Sequence, residues 1–314
     1  MKVALVFSGQ GSQVPGMGKS LFDNYIRSRE IFESAGKDIQ ELCFNATKEK
    51  LMQTKITQPC IFTVSMAAYY AFVSKYDGGY DCLAGFSLGE YSALTAAGVF
   101  NFESGFDIIK NRGIWMDEAS RSTDEKKQGV MAAVLGDVKK LEECIKECDS
   151  EGMILPVNFN CPGQTVIAGE NCAVEMFESI AKKNKLKVIR LNVGGAFHSP
   201  MMQIPYENIK NYLDKNKIKF PKTDIYSNVT AQPYSRDNMQ GIKELIALQV
   251  KSPVKWEKTI KNMIAAGVDT FVELGVGKTL CNLIKKIDGN VDAFAVNDKE
   301  TMEETLTQLD KLRI

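Results

Sequence analysis

The segment CLAGFSLGEYSALTAAG, residues 82–98, contains the pattern from which the fold can be inferred. Residues 82–85 form an apolar run of the length of a short strand, and the apolar residues after Gly89 are typical of a buried helix that Gly98 can end. A tight turn at residues 86–89 must connect the two. A strand that leads through a turn into a helix is the repeating unit of a layered α/β fold.

Apolar strand-like runs and helix-like stretches alternate along most of the chain. Residues 3–7 predict a first buried strand, and residues 58–76 predict a buried helix with Pro59 in its first turn. The other elements predicted outside the central segment are helices at 102–120, 201–215, 239–250 and 255–266 and strands at 224–228 and 270–274. This alternation predicts an α/β fold with a largely parallel sheet.

A polar, charged passage at residues 121–129 interrupts the pattern and is typical of an exposed loop. The elements predicted after it are strands at 130–135, 154–160, 165–168 and 187–193 and helices at 138–148 and 173–184. Their order, βαββαβ, is that of a ferredoxin-like unit. We therefore expect a large α/β-hydrolase-like domain, residues 1–128 and 197–314, into which a small ferredoxin-like domain, residues 129–196, is inserted.

The composition excludes several classes of protein. Thirty-nine basic residues balance thirty-nine acidic ones, so no overall charge favours nucleic acid. No segment reaches the roughly 18 uncharged apolar residues of a membrane span, and the apolar N-terminus is too short for a secretory signal. With eight cysteines in no close pairs and one histidine, a zinc site is not expected. We expect a cytoplasmic protein that binds neither nucleic acid, membrane nor metal.

Residues 85–89, GFSLG, match the G-x-S-x-G pattern of a nucleophile elbow. The match has weight because it lies where a predicted strand ends and a helix begins. Glycines permit the sharp turn that exposes the Ser87 hydroxyl, and free N–H groups at the helix start can stabilise a developing oxyanion. Ser87 is therefore the candidate nucleophile, although the pattern by itself is often coincidental.

His198 is the only histidine in the chain, so it is the one imidazole that could act as the base for Ser87. A lone histidine is more often a structural residue. His198, however, follows the predicted strand 187–193 directly, and catalytic groups gather in loops at strand ends of open α/β sheets. This position favours the catalytic interpretation.

Two glycine-rich segments resemble nucleotide-binding loops but lack an essential glycine. Residues 9–14 have Val14 where the dinucleotide pattern needs its third glycine, and residues 272–279 have Val272 where a phosphate-binding loop needs its first. Neither predicts a nucleotide site. The first of these loops follows the N-terminal strand, so Gln10 could supply an oxyanion donor, or the loop could be an ordinary turn.

Four blocks of sequence, in this order and spacing, together resemble the malonyl-CoA:acyl carrier protein transacylase family: FSGQGSQ at 7–13, GFSLGEYSAL at 85–94, GAFHS at 195–199 and QVKSPVKW at 249–256. Shorter blocks at 111–113, 156–164 and 271–275 extend the resemblance over nearly the whole chain. The family usually has His before the nucleophile, where this chain has Phe86. The role of that imidazole is therefore missing here.

The resemblance implies a role for each matching residue. Ser87 would be the acylated nucleophile and His198 its base, oriented by the backbone carbonyl of Gln249, with an oxyanion hole at the Gln10 side chain and the Leu88 N–H. A carbonyl in place of a carboxylate still fixes the imidazole tautomer and adds no negative charge beside an anionic substrate.

Three further positions bear on the substrate. Arg112 would bind the free malonyl carboxylate, whereas a surface arginine is the alternative without the resemblance. Phe197 would crowd the substrate α-carbon. Asn158 and Asn160 lie on a strand that faces the cleft in the family, where Asn160 would contact the substrate; strand-end capping is the alternative.

The implied reaction moves a malonyl group from malonyl-CoA to the phosphopantetheine thiol of acyl carrier protein through a malonyl-serine ester, in fatty acid biosynthesis. No cofactor is required, and we expect a monomer. Three alternatives remain at this point: an acyl hydrolase with the same Ser-His dyad, a non-catalytic scaffold with a decayed site, and a free-standing loader for polyketide synthesis. The first differs because water, rather than a thiol, would release the acyl group.

Overall fold

The computed structural model describes residues 1–122, 124–148 and 151–313. Thr123, in the predicted loop, and residues 149, 150 and 314, in the predicted domains, lie outside the described residues. The strands are β1 Val3–Phe7, β2 Cys82–Gly85, β3 Gly129–Leu135, β4 Ile154–Cys161, β5 Gln164–Glu170, β6 Lys187–Arg190, β7 Asp224–Tyr226, β8 Thr270–Leu274 and β9 Asp292–Val296.

The α-helices follow the predicted pattern and extend it into regions that the sequence analysis left unassigned. They are α1 Lys19–Asn24, α2 Ile26–Ala35, α3 Lys37–Asn45, α4 Lys48–Leu51, α5 Thr54–Val73, α6 Leu88–Ala96, α7 Phe102–Ala119, α8 Val138–Lys146, α9 Asn171–Lys183, α10 Gln203–Lys215, α11 Met239–Leu248, α12 Trp256–Ala265, α13 Thr279–Ile287 and α14 Lys299–Arg313. Short 3₁₀ turns lie at Pro200–Met202 and Gln249–Lys251.

A five-stranded parallel sheet, in the order β7-β2-β1-β8-β9, forms the centre of the larger part of the molecule. All residues of β1 and β8 are buried, as expected for a parallel sheet covered on both faces. Phe7 pairs with Gly85 on one side and with Leu274 on the other. The carboxyl ends of these three strands therefore meet at one edge, where the loops after β1 and β2 emerge side by side.

A second, antiparallel sheet has the order β4-β5-β3-β6. It contacts the rest of the molecule through β4, because the Val254 N–H donates to the Val157 carbonyl at 2.8 Å and the Phe159 N–H donates to the Val254 carbonyl at 2.9 Å. These bonds fix the cleft between the two parts. The predicted α/β class with a largely parallel sheet is confirmed.

The helix predicted at 58–76 begins earlier than expected, at Thr54, so Pro59 lies inside α5 rather than in its first turn. A proline there removes one backbone hydrogen bond. Burial offsets that loss, because nearly every side chain from Thr57 to Phe72 is buried, most of all against α7 and α2. The length and apolar character of α5 would allow it to cross a membrane, yet 83% of its most apolar 18-residue window is buried inside the fold.

The turn between β2 and α6 depends on glycines that permit close backbone approach. A Cβ atom on Gly89 would lie 2.1 Å from the Phe7 carbonyl oxygen, and one on Gly85 would lie 2.0 Å from the Gly89 carbonyl. These glycines therefore let α6 begin directly over the end of β1.

We expect the Gly89→Ala substitution to lower the free energy of unfolding by about 3 kcal/mol, because the added methyl group overlaps backbone that cannot move freely. Urea denaturation followed by circular dichroism measures the change. Gly289→Ala is the matched control, since a Cβ there would meet nothing closer than the Lys285 carbonyl at 3.9 Å. Equal stability of the two variants would contradict the prediction.

Candidate active site

Ser87 occupies the turn between β2 and α6 with φ 51° and ψ −106°, a conformation that non-glycine residues rarely adopt. Its backbone N–H donates to Asn228 Oδ1 at 2.8 Å. Such strain persists only where the surrounding structure enforces it and is typical of functional sites. The hydroxyl is thereby presented above the carboxyl edge of the parallel sheet.

His198 lies in the loop after β6, also with a positive φ, 62°. Its Nε2 atom is 2.7 Å from Ser87 Oγ. Its Nδ1 atom is 2.9 Å from the Gln249 carbonyl and 3.2 Å from the Ser252 carbonyl. Since carbonyl oxygens only accept hydrogen bonds, the proton belongs on Nδ1, which leaves Nε2 to accept from the serine hydroxyl.

The environment of His198 keeps the imidazole neutral. Burial and the positive charge of Arg112 lower the pKa of His198 to about 4, although the carbonyls of Gln249 and Ser252 oppose the shift. A neutral imidazole is the form that can take a proton from Ser87. The imidazole is therefore unprotonated throughout the physiological range of pH.

We expect the His198 imidazole to remain neutral down to about pH 5, well below the ordinary histidine value near 6.5. His198 is the only histidine in the sequence, so tag-free protein gives one imidazole signal in an NMR titration. Arg112→Met should move the midpoint of this signal upward, because it removes a positive charge that disfavours the imidazolium. A midpoint near 6.5 in the unmodified protein would contradict the prediction.

Arg112 projects from α7 into the interior and is only 1% exposed. Its two terminal nitrogens donate to Gln58 Oε1 at 2.7 Å and to Gln249 Oε1 at 3.1 Å, and the second also lies 3.4 Å from Ser87 Oγ. The guanidinium lies 5.2 Å from the centre of the Tyr91 ring. Burial lowers the pKa of Arg112, but an arginine stays charged, so this is a buried cation directly beside the nucleophile.

Gln249 contacts His198, Ser87 and Arg112 through both its backbone and its side chain. Besides the carbonyl that faces His198, its side-chain amide donates to the Ser87 carbonyl and accepts from Arg112. Ser87, His198 and Arg112 are therefore all bonded to this one residue. The sequence indicated only the carbonyl.

The two predicted oxyanion donors lie beside Ser87. Gln10, in the loop after β1, lines a small cavity together with Ser87, and its Nε2 donates to Thr54 Oγ1 at 3.3 Å, which leaves its second N–H for another acceptor. Leu88 is the first residue of α6, where a backbone N–H has no acceptor within the helix. Both groups therefore have an N–H free for an acceptor near Ser87.

The small cavity opens towards a larger cleft. The cavity, of about 80 Å³, is lined by Ser87, His198, Arg112 and Phe197 among others. The cleft, of about 480 Å³, runs between the loop at residues 8–13 and the antiparallel sheet. The residues that line both are Gln10, Phe86, Asn158, Leu191 and Val193. A long substrate arm could reach Ser87 from the cleft.

The remaining predicted residues divide between these two spaces. Phe197 is buried in the small cavity, whereas Asn160 lines only the outer cleft and Asn158 lines both. The buried Oδ1 atoms of Asn158 and Asn160 have no hydrogen-bond partner within the described residues. Phe86, in place of the family's histidine, packs edge-on against the buried Trp256 ring, with the centroids 5.5 Å apart.

Sequence reasoning missed three polar residues at this site, namely Gln58, Glu90 and Asn228. Asn228 follows β7, and the tendency of polar groups at strand ends to gather could have indicated it. Gln58 and Glu90 lie within apolar helical runs and gave no comparable signal. In the part of the chain that the structure describes, no group of three or more His, Cys, Asp or Glu side chains could hold a metal ion.

Comparison with known proteins finds relatives that all belong to one class of enzyme, the acyltransferases. The model of the acyl transferase domain family matches residues 4–296. A malonyl CoA-acyl carrier protein transacylase from Bacillus subtilis (strain 168) is 39% identical over 310 residues, which cover 96% of this chain and 95% of that protein. The crystal structure of the transacylase of the same name from Clostridium perfringens ATCC 13124 is 38% identical, with a TM-score of 0.93 over 100% of this chain and 98% of that one.

A third neighbour comes from a complex between a type II PKS acyl-carrier protein and its malonyl-transacylase. The matched chain is 31% identical, with a TM-score of 0.92 over 98% of this chain and 100% of its own.

Proposed function

Since this chain belongs to the malonyl CoA-acyl carrier protein transacylase family, we propose that it transfers a malonyl group from malonyl-CoA to the phosphopantetheine thiol of an acyl carrier protein. The intermediate is a malonyl ester on Ser87. The observation that carries this proposal is the 2.7 Å contact between Ser87 Oγ and His198 Nε2, beside a buried arginine. The Ser87–His198 dyad can carry out acyl transfer, and the Arg112 guanidinium can select an acyl group that has a free carboxylate.

The first half-reaction forms the ester. Ser87 Oγ attacks the thioester carbonyl while His198 Nε2 takes its proton, and the Gln10 amide and Leu88 N–H stabilise the oxyanion. The tetrahedral intermediate then collapses, its carbon–sulfur bond breaks, and the imidazolium returns the proton to the CoA sulfur. The Gln249 carbonyl holds the imidazole in the required tautomer throughout.

The second half-reaction reverses these roles. The carrier protein thiol gives its proton to His198 and attacks the ester, and the proton then returns to Ser87 Oγ as the ester bond breaks. The donor, CoA, and the acceptor, the carrier protein, both end in the same pantetheine arm. One cleft can therefore serve both half-reactions.

Arg112 binds the free carboxylate of the malonyl group. A guanidinium matches a planar carboxylate through parallel hydrogen bonds, and Gln58 and Gln249 hold it in place. The nitrogen that points toward Ser87 lies 3.4 Å from its Oγ, so the guanidinium is close to the acyl group that this serine would carry. An acetyl group would leave this buried charge without its counter-ion.

The outer cleft suits the pantetheine arm. The unpartnered Oδ1 atoms of Asn158 and Asn160 can accept hydrogen bonds from its amide N–H groups. Phe197 narrows the inner cavity beside the substrate α-carbon, so branched acyl groups should fit poorly.

We extend the proposal to the organisation of the chain and its setting. Residues 1–128 and 197–314 form an α/β-hydrolase-like domain around the parallel sheet, and residues 129–196 form a ferredoxin-like domain; the order β3-α8-β4-β5-α9-β6 supports the latter. The protein acts as a monomer in the cytoplasm, in fatty acid biosynthesis.

A transfer assay tests the proposal directly. The protein is incubated with malonyl-CoA, with and without a phosphopantetheinylated acyl carrier protein, and intact masses are recorded over time. We expect the ester on the protein to persist until the carrier is added and then to appear on the carrier. Steady release of free malonate without the carrier would instead indicate a hydrolase, and no ester at all would overturn the proposal.

A further inference from the structure

Asn228 holds the nucleophile turn at Gly85 and at Ser87. Its Oδ1 accepts from the Ser87 N–H at 2.8 Å, and its Nδ2 donates to the Gly85 carbonyl at 2.7 Å. The side chain is 1% exposed, so water does not compete for these bonds. One amide group therefore bridges the residue before the turn and the nucleophile itself, although it lies 141 residues away from Ser87 in sequence.

Glu90 in turn holds Asn228. Its Oε1 accepts from the Asn228 backbone N–H at 3.1 Å and from the Tyr234 hydroxyl at 2.8 Å. Glu90 lies three residues after Ser87, in the first turn of α6, and is 1% exposed. The unit formed by Ser87, Glu90 and Asn228 is therefore a closed ring that joins the turn, the helix after it and the loop after β7.

The burial of Glu90 is not explained by the chemistry of the reaction. A carboxyl in the interior is unfavourable unless it satisfies other polar groups. Burial raises the pKa of Glu90 to about 7, against the effect of hydrogen bonds from Tyr234 and Asn228. Glu90 makes no hydrogen bond to Ser87 Oγ or His198 in the described structure. We therefore expect its carboxyl to affect the reaction through the groups that it bonds, Asn228 and Tyr234.

We propose that Glu90 and Asn228 are positioning residues that fix the strained Ser87 backbone so that Oγ stays within reach of His198. Ser87 has a φ of 51°, which is unfavourable for a serine. Without support, the backbone would relax to a common conformation, and the hydroxyl would move away from the imidazole. The Asn228 side chain ties the end of β2 at Gly85 to the Ser87 N–H, and the Glu90 carboxyl holds the Asn228 backbone. The proposal deepens the function proposed above and rests on it.

The test measures how fast Ser87 is acylated and how tightly substrate binds, as separate quantities. We expect Asn228→Leu, which keeps the branched shape and removes both side-chain hydrogen bonds, to slow single-turnover malonylation of Ser87 by about 100-fold. The dissociation constant of malonyl-CoA should change little, because neither residue lines the cavity beside Ser87. Loss of binding without loss of rate would overturn the proposal.

Two variants of Glu90 separate positioning from general stability. Glu90→Gln keeps an oxygen that can accept from Asn228 and Tyr234, so it should recover most of the rate that Glu90→Ala loses. Glu273→Gln is the matched control. Glu273 is also fully buried with its pKa raised to about 7, but its carboxylate accepts from the Cys281 N–H at the start of α13, away from the site.

Glu273→Gln should alter the unfolding transition without altering the acylation rate. Equal rate losses in Glu273→Gln and Glu90→Ala at equal folded fractions would show a merely structural role. Asn228→Asp covers the case in which Asn228→Leu fails to fold, since Asp keeps the acceptor for the Ser87 N–H and replaces only the donor towards Gly85. Wild-type rates in a folded Asn228→Asp variant would also overturn the proposal.

A second readout keeps this test separate from the proposed function. A sulfonyl fluoride modifies an activated serine whatever its natural acyl donor, and intact mass records the adduct. If the unmodified protein forms a sulfonyl adduct on Ser87 but no malonyl ester, the proposed function fails while the positioning role is still measured. Slower sulfonylation of Asn228→Leu would support it, and an unchanged rate would overturn it.

Discussion

We expect the Ser87→Ala variant to form no malonyl adduct and to lose transfer to the carrier protein by about 10⁴-fold or more, the largest effect of any single substitution in this chain. Alanine removes the oxygen that forms the ester, and no other hydroxyl of the described site lies beside His198 Nε2. The surrounding geometry should remain, because Ser87 is held through its backbone N–H rather than its side chain. Intact-protein mass spectrometry after incubation with malonyl-CoA measures the adduct.

His198→Ala provides the companion measurement. The two residues act as one unit, so the double variant should be scarcely slower than either single variant. Thr54→Ala is a useful control for damage near the site, since the Thr54 hydroxyl accepts from the Gln10 amide and bonds neither Ser87 nor His198 in the described structure, so the adduct should remain. A malonyl adduct of normal yield on Ser87→Ala would show that another residue carries the acyl group.

Arg112→Met should lower the specificity constant for malonyl transfer by about 10²-fold or more, because a buried charge pair loses one partner. Acetyl-CoA should become the better of the two donors, since the variant leaves no unpaired cation beside the acyl group. The effect would be small for a surface arginine, because water would replace the lost partner, but Arg112 is only 1% exposed. A competition assay with equal concentrations of malonyl-CoA and acetyl-CoA measures the ratio of the two products.

Arg112→Lys should not restore the preference for malonyl. A lysine has a single charged nitrogen, so it cannot bond Gln58, Gln249 and a carboxylate with the fixed geometry of a guanidinium. Arg27→Met serves as the matched control, because Arg27 pairs with Glu30 on the exposed face of α2. An unchanged product ratio in Arg112→Met would show that the malonyl carboxylate binds elsewhere.

The fold illustrates which features local sequence can predict. The apolar runs of β1, β2 and β8 were recognisable because a strand buried on both faces is continuously apolar. The predicted start of α5, at residue 58, is wrong, because the helix begins at Thr54. Proline's preference for a first turn contributes less free energy than the burial of the residues before it. The sequence gives no clear prediction for helices α1 to α4, since short segments with mixed polarity carry little periodic signal.

Local sequence features are enough to predict the nucleophile and the base. A G-x-S-x-G turn at the end of an apolar strand is a local feature, and a chain with one histidine offers one imidazole. The order of the strands, in contrast, was decided only by the tertiary structure. Periodicity shows that a strand is buried but not which strand lies beside it.

The strand order β7-β2-β1 brings Asn228, which follows β7, next to Ser87, which follows β2. The short turn after α11 brings both the backbone carbonyl and the side-chain amide of Gln249 into the site. These contacts join residues between 51 and 162 positions apart in sequence. Their energy comes from packing and from hydrogen bonds that exist only once the interior is closed to water, so no local pattern in the chain encodes them.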